Sequence, residues 1–89
     1  MARLVFTQQL RRFTDVPEID TSAATLREAL EAAFSVNPRL RGYILDDQGH
    51  LRPHVVAFID GRRITDRIVL DDAVSANSSI HVLQALSGG

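Results

Sequence analysis

Two rhythms of apolar and polar residues run along the chain: a two-residue period in several short stretches and a helical period in one longer one. Near the start, "RLVFT" sets Leu4 and Phe6 on one side of an extended segment, which predicts a strand over residues 3–7. "QQLRRFTD" is polar and turns the chain. "VPEIDTS" predicts a second strand, held at a sheet edge because Pro17 has no amide hydrogen to offer a neighbour. The period then changes in "TLREALEAAF". Leu26, Ala29, Leu30, Ala33 and Phe34 fall on one stripe of a helix. Thr25 and Glu28 have the spacing of a capping box, and Asn37-Pro38 ends the run.

In "RLRGYILDDQGHLRP", Leu40, Tyr43 and Ile44 are anchors and "DDQG" is a turn. "HVVAFID" is the most strand-like stretch in mid-chain. Val56 and Phe58 share one of its faces, and Val55, Ala57 and Ile59 share the other. Both faces are apolar, so alternation does not choose the outward one. Asp60-Gly61 suits a tight hairpin, with "RRI" returning. "TDRIVLDDAVSANSS" is mixed, with Leu70 and Val74 as anchors. "SIHVLQAL" predicts a last strand, with Ile80, Val82 and Gln84 on one face and His81, Leu83 and Ala85 on the other.

One amphipathic helix has to cover one face of a sheet whose strands come from both ends of the chain. The natural solution sets the first and last strands side by side, parallel, in the middle. This is the β-grasp arrangement, an α+β fold with a mixed sheet of four to five strands and one main helix packed across it. Residues 1–85 are expected to form that domain, and residues 86–89 a flexible C-terminal tail ending in Gly-Gly.

Composition narrows the chemistry. Eighty-nine residues with 45% hydrophobic content suit one domain with a small core. A net charge of −1 gives no general attraction to nucleic acid or an anionic membrane. No apolar run reaches the roughly 20 residues of a membrane span, and "MARLVFTQQLRRF" lacks the pattern of a signal peptide. A soluble cytoplasmic protein is expected. The absence of cysteine excludes disulfides, thiolate metal sites and a cysteine nucleophile. All ten basic residues are arginine, so this chain offers no Schiff-base or acceptor lysine.

The usual catalytic constellations are missing. "HLRPH" sets His50 and His54 four apart with a proline between them, a weak metal pattern. Asp46-Asp47 and Asp71-Asp72 sit in turn-like sequence, where capping and solvation account for them. No phosphate-binding glycine pattern occurs. Arg11, Arg12, Arg62, Arg63 and Arg67 form either a solvated basic face or a docking face for an acidic partner.

The end of the chain remains. By composition alone two glycines close about 1 chain in 200. Here Gly88-Gly89 follows a strand with only Leu86 and Ser87 between. Without β-carbons the pair stays extended in a narrow channel. A partner can then bring its carboxylate to a reactive phosphate. A free carboxylate is a poor acyl donor, and attack on ATP converts it to an acyl-adenylate.

A β-grasp order ending in "VLQALSGG" resembles the MoaD/ThiS-like ubiquitin-like sulfur carriers. These include the small subunit of molybdopterin synthase, the thiamin-thiazole sulfur carrier, and the carriers for cysteine synthesis and tRNA thiolation. "ATLREALEAAF" and the stretch from "VVAFIDGRRI" to the end carry the resemblance. It implies a carrier or co-substrate in place of an enzyme, with no bound cofactor. A ubiquitin-activator-like adenylyltransferase would spend ATP on Gly89, and a persulfide donor would replace AMP to leave a thiocarboxylate for a sulfur-accepting enzyme. Gly88 would keep the tail slim, and Leu86 and Ser87 would seat it at the partner, with Leu83 and Phe58 as further partner contacts. Neither membrane nor direct nucleic-acid binding is implied.

The acceptor stays open. "RGYILDDQGHLRPH" resembles the carriers for cysteine synthesis, whereas "LSGG" is similar to those of tRNA thiolation, some of which become attached to lysines. Two other functions share the sequence features: a ubiquitin-like modifier conjugated through Gly89 to lysines of other proteins, and a β-grasp binding module without acyl chemistry.

Overall fold

The computed structural model describes residues 1–6 and 18–84, the last by its backbone. Its elements run β1 (Ala2–Phe6), β2 (Ile19–Thr21), α1 (Leu26–Val36), α2 (Leu40–Ile44), β3 (Val55–Ile59), β4 (Arg62–Arg63) and β5 (Ser79–Gln84). The five strands form one sheet in the order β2-β1-β5-β3-β4. β1 and β5 are parallel, with Leu4 beside Ile80 and Phe6 beside Val82, and the other pairs are antiparallel. The expected β-grasp order is therefore present, with the first and last strands adjacent at the centre. The polar stretch 8–15 and Pro17 lie outside the described residues.

The helix stripe closes against one face of this sheet. Leu26, Ala29, Leu30, Ala33 and Phe34 are buried against Ala2, Leu4, Phe6, Val55, Ala57, Ile80 and Val82. The cap is built as its spacing predicts, with one shift. Thr25 Oγ1 accepts from the Glu28 amide at 3.3 Å, but the Glu28 carboxylate reaches past the cap to the Ala24 amide at 2.8 Å. The helix runs two residues beyond Phe34 and stops where the Asn37 amide donates to Ala33 O.

Leu40, Tyr43 and Ile44 form a second, one-turn helix, with Leu40 and Ile44 buried and Tyr43 packed on the core. The "DDQG" turn is closed by the Asp46 carboxylate, which accepts from the Gln48 and His50 amides. At the hairpin, Asp60 and Gly61 both have positive φ (53° and 82°), the two-residue turn whose twist matches paired strands. The Asp60 carboxylate also accepts from Ser78 Oγ and the Ser79 amide, tying the turn to the start of β5.

The return from β4 to β5 is held by arginines acting on backbone. Arg27 donates to Val69 O at 2.8 Å, Ile68 O at 3.0 Å and Gly49 O at 2.8 Å, so one guanidinium joins α1 to two loops. Within this loop Asp66 Oδ1 accepts from the amides of Ile68 and Val69. Those amides favour the charged carboxylate and lower its pKa. A group whose folded pKa is depressed stabilises the fold above its unfolded pKa, about 4 for aspartate. That stabilisation is lost as pH falls through the folded value. Asp66→Asn keeps an acceptor but does not titrate. Its stability deficit in denaturant melts is therefore expected to shrink below about pH 4, and a deficit constant with pH would contradict this account.

Candidate functional site

β5 lies between β1 and β3, and its register fixes where it points. Phe6, the last residue of β1, pairs with Val82, and Val55, the first of β3, pairs with Gln84. β5 therefore ends where β1 finishes and β3 begins, four positions before Gly88 in the sequence. Arg67 braces this end from below: its guanidinium donates to the carbonyls of Val55 (2.7 Å) and Arg52. Gly88, Gly89, Leu86 and Ser87, named from the sequence as reactive and seating residues, lie outside the described residues.

The other two sequence-named contacts come together. Because α1 takes Val55 and Ala57, the residues between them face away from it, and Val56 and Phe58 are half-buried on the open side. Leu83 pairs directly with Val56, and His81 with Phe58, so Leu83 and Phe58 are diagonal neighbours on one surface. Val5 of β1 joins them through its pairing with His81. The result is an apolar stripe of Val5, Leu83, Val56 and Phe58 around an exposed histidine, immediately below the point where the chain leaves the sheet.

Sequence reasoning did not include Val5, Val56 or His81 in the site. The two-residue period of "SIHVLQAL" puts His81 with Leu83, but the addition of Val5 and Val56 depends on register. Charged residues flank the stripe. On the β2 side Arg3 pairs with Glu18 and, at 3.3 Å, with Asp20. On the β4 side Arg63 pairs across the hairpin with Phe58, which sets it on the same open face.

Among the described residues no three His, Cys, Asp or Glu side chains come together to hold a metal ion. His50 and His54 belong to the turn before β3, as separate half-buried and exposed residues. Asp46 and Asp72 spend their carboxylates on neighbouring amides. Among the described residues no helix is long and apolar enough to cross a membrane. What the described residues offer is a surface beside the end of β5.

No family model matches the sequence, and a search of curated proteins finds no match. Solved structures do match over almost the whole chain. The small archaeal modifier protein 1 (SAMP1) of Haloferax volcanii superposes with a TM-score of 0.77 at 22% identity, covering 99% of this chain and 98% of that one. The fold is the ubiquitin-like β-grasp. SAMP1 of Methanosarcina acetivorans shares this β-grasp with a TM-score of 0.75 at 22% identity, covering 99% of this chain and 95% of its own. Urm1 of Sulfolobus solfataricus does so at 0.65 and 19%, covering 92% and 97%. The β-grasp thus holds here with about four residues in five changed, in keeping with a fold set by pattern and volume.

Proposed function

We propose that this chain is a ubiquitin-like sulfur carrier that reacts through the carboxylate of Gly89. A Gly89 carboxylate oxygen attacks the α-phosphorus of ATP in a ubiquitin-activator-like adenylyltransferase, and pyrophosphate leaves. The outer sulfur of a persulfide attacks the acyl carbon, and AMP leaves. A second thiol then takes the bridging sulfur bond, releasing the thiocarboxylate and leaving a disulfide behind. The carrier brings no cofactor of its own, since ATP and the thiols belong to partners. It would work in the cytoplasm, delivering sulfur to a biosynthetic enzyme for cysteine, molybdopterin, thiamin or thiolated tRNA.

One observation carries the proposal: the central strand β5 ends beside an open apolar face, four positions before Gly88 in the sequence, in a fold shared with SAMP1 and Urm1. The word modifier in the name of SAMP1 favours a second reading of the same chemistry, in which the activated Gly89 is passed to a lysine of another protein. Both begin with adenylation. A binding module with no acyl chemistry does not.

The test is intact-protein mass spectrometry after incubation with ATP, sulfide and the adenylating enzyme of the same organism. A C-terminal fragment in which one oxygen is replaced by sulfur is the expected product, and it also reads whether the carboxylate sits at Gly89. An unchanged mass, with an enzyme shown to exchange pyrophosphate into ATP, would sink the proposal. Adducts on lysines of other proteins, lost without Gly89, would assign the modifier role.

A further inference from the structure

The open face of the sheet is polarised from edge to edge. At the β2 side two carboxylates, Glu18 and Asp20, meet one guanidinium, Arg3, so among the described residues this cluster carries net negative charge. At the β4 side Arg63 is exposed, and its side chain makes no hydrogen bond or ion pair among the described residues. Exposed His81 lies between, beside Phe58, and can donate a ring N–H. Strands about 4.8 Å apart place β2 and β4 roughly 19 Å from each other across the sheet. Charges in water are screened over about 8 Å at physiological ionic strength. The two ends therefore do not neutralise one another, and each meets a partner as a separate charge. Between them lies the apolar stripe of Val5, Leu83, Val56 and Phe58.

A purely apolar stripe lets a partner slide or turn upon it. Opposite charges at its two ends remove that freedom, because a reversed partner brings like charges together. We infer that the partner seated on this face presents an apolar centre with carboxylates opposite Arg63 and His81 and a basic side chain opposite Glu18 and Asp20. This inference rests on the adenylating-enzyme reading above, which supplies the partner. The charges act as an orienting device. They set the one rotation in which the chain leaving β5 points into the enzyme.

Steady-state adenylation with the same organism's enzyme, following pyrophosphate release against carrier concentration, tests this. Arg63→Glu is expected to raise KM about tenfold, the equivalent of one lost charge pair, with kcat at saturation retained. Arg62→Glu makes the same change in net charge from the opposite side of the strand and should leave KM within about twofold, well under one such pair. The decisive variant is Arg63→Glu with Asp20→Arg, which has the wild-type net charge and a reversed polarity. It is expected to be worse than either single change. Thermal melts confirm folding, and exposed ion pairs such as these contribute little to it. Should Asp20→Arg not fold, Glu18→Arg takes its place.

Recovery of wild-type KM by the double variant, or equal effects of Arg62→Glu and Arg63→Glu, would overturn the orienting role and leave the sulfur-carrier reading standing. A wild-type chain that is not adenylated at all removes both. Light scattering of the chain alone separates the remaining occupant: a wild-type dimer that Arg63→Glu breaks would assign the face to a second copy and overturn the inference.

Discussion

Deleting Gly89 is expected to abolish ATP-dependent sulfur loading while leaving the unfolding midpoint where it was. One residue of extended chain spans roughly 3.3–3.6 Å. Attack on a phosphate needs the reacting atoms within about 3–3.5 Å, and a misplacement of 1 Å can cost about a hundredfold. A tail shortened by a whole residue leaves the carboxylate far outside that range. Stability is not expected to follow, because the described core is complete by Val82, and Gly89 lies seven residues further on. Intact mass and a thermal melt on the same sample check both halves. Sulfur found on a shortened chain, at Gly88, would show that the enzyme does not measure tail length, and a lowered midpoint would show that Gly89 takes part in the fold.

The opposite pattern is expected for Ile80→Ala. Ile80 is fully buried in the central strand, beside Leu4 on β1 and Ile59 on β3. Truncating such a side chain removes its transfer free energy and leaves a cavity, together about 2–5 kcal/mol. A domain of this size has only roughly 4–13 kcal/mol in total, and each kcal/mol lowers the midpoint by about 4–8 °C. The loss is therefore a large share of the fold. Leu83→Ala, three residues along the same strand on the open face, is expected to cost under about 1.5 kcal/mol and to raise KM for adenylation instead. If the two variants proved equally destabilising, the face carrying Leu83 would be covered core, and the docking surface would be withdrawn.

That contrast marks how far the sequence could be read. The strand order followed from one strong helix period between short two-period runs, because a single amphipathic stripe leaves few ways to cover a sheet. The hairpin at Asp60-Gly61 was legible from the turn chemistry of two residues. The outward face was not legible, because all five residues of "VVAFI" are apolar and period alone cannot orient them. Only the packing of α1 on Val55 and Ala57 does so, and this in turn places Leu83 beside Val56.

The short helix at Leu40–Ile44 carried a signal, apolar residues at i, i+3 and i+4, but one turn interrupted by Gly42 is too brief for periodicity to distinguish. The arginine braces carried none. Arg27 and Arg67 act on backbone carbonyls 42 and 12 residues away in sequence, and a carbonyl leaves no trace in the residue letters. The same holds for the polarised face, since Asp20, Arg3 and Arg63 are gathered by register from three strands.

The parallel pairing of β1 with β5 also bears on how the protein is made. The first strand to emerge during synthesis waits for the fifth, whose paired residues lie 76 positions later (Arg3 with Ser79, Phe6 with Val82), before its central partner exists. Such non-local pairing slows folding and postpones the sheet until β5 has been made. A chain cut short before β5 lacks Ile80 and Val82 and so has no closed core. The fold is thus completed late, by the strand that lies at the centre of its sheet.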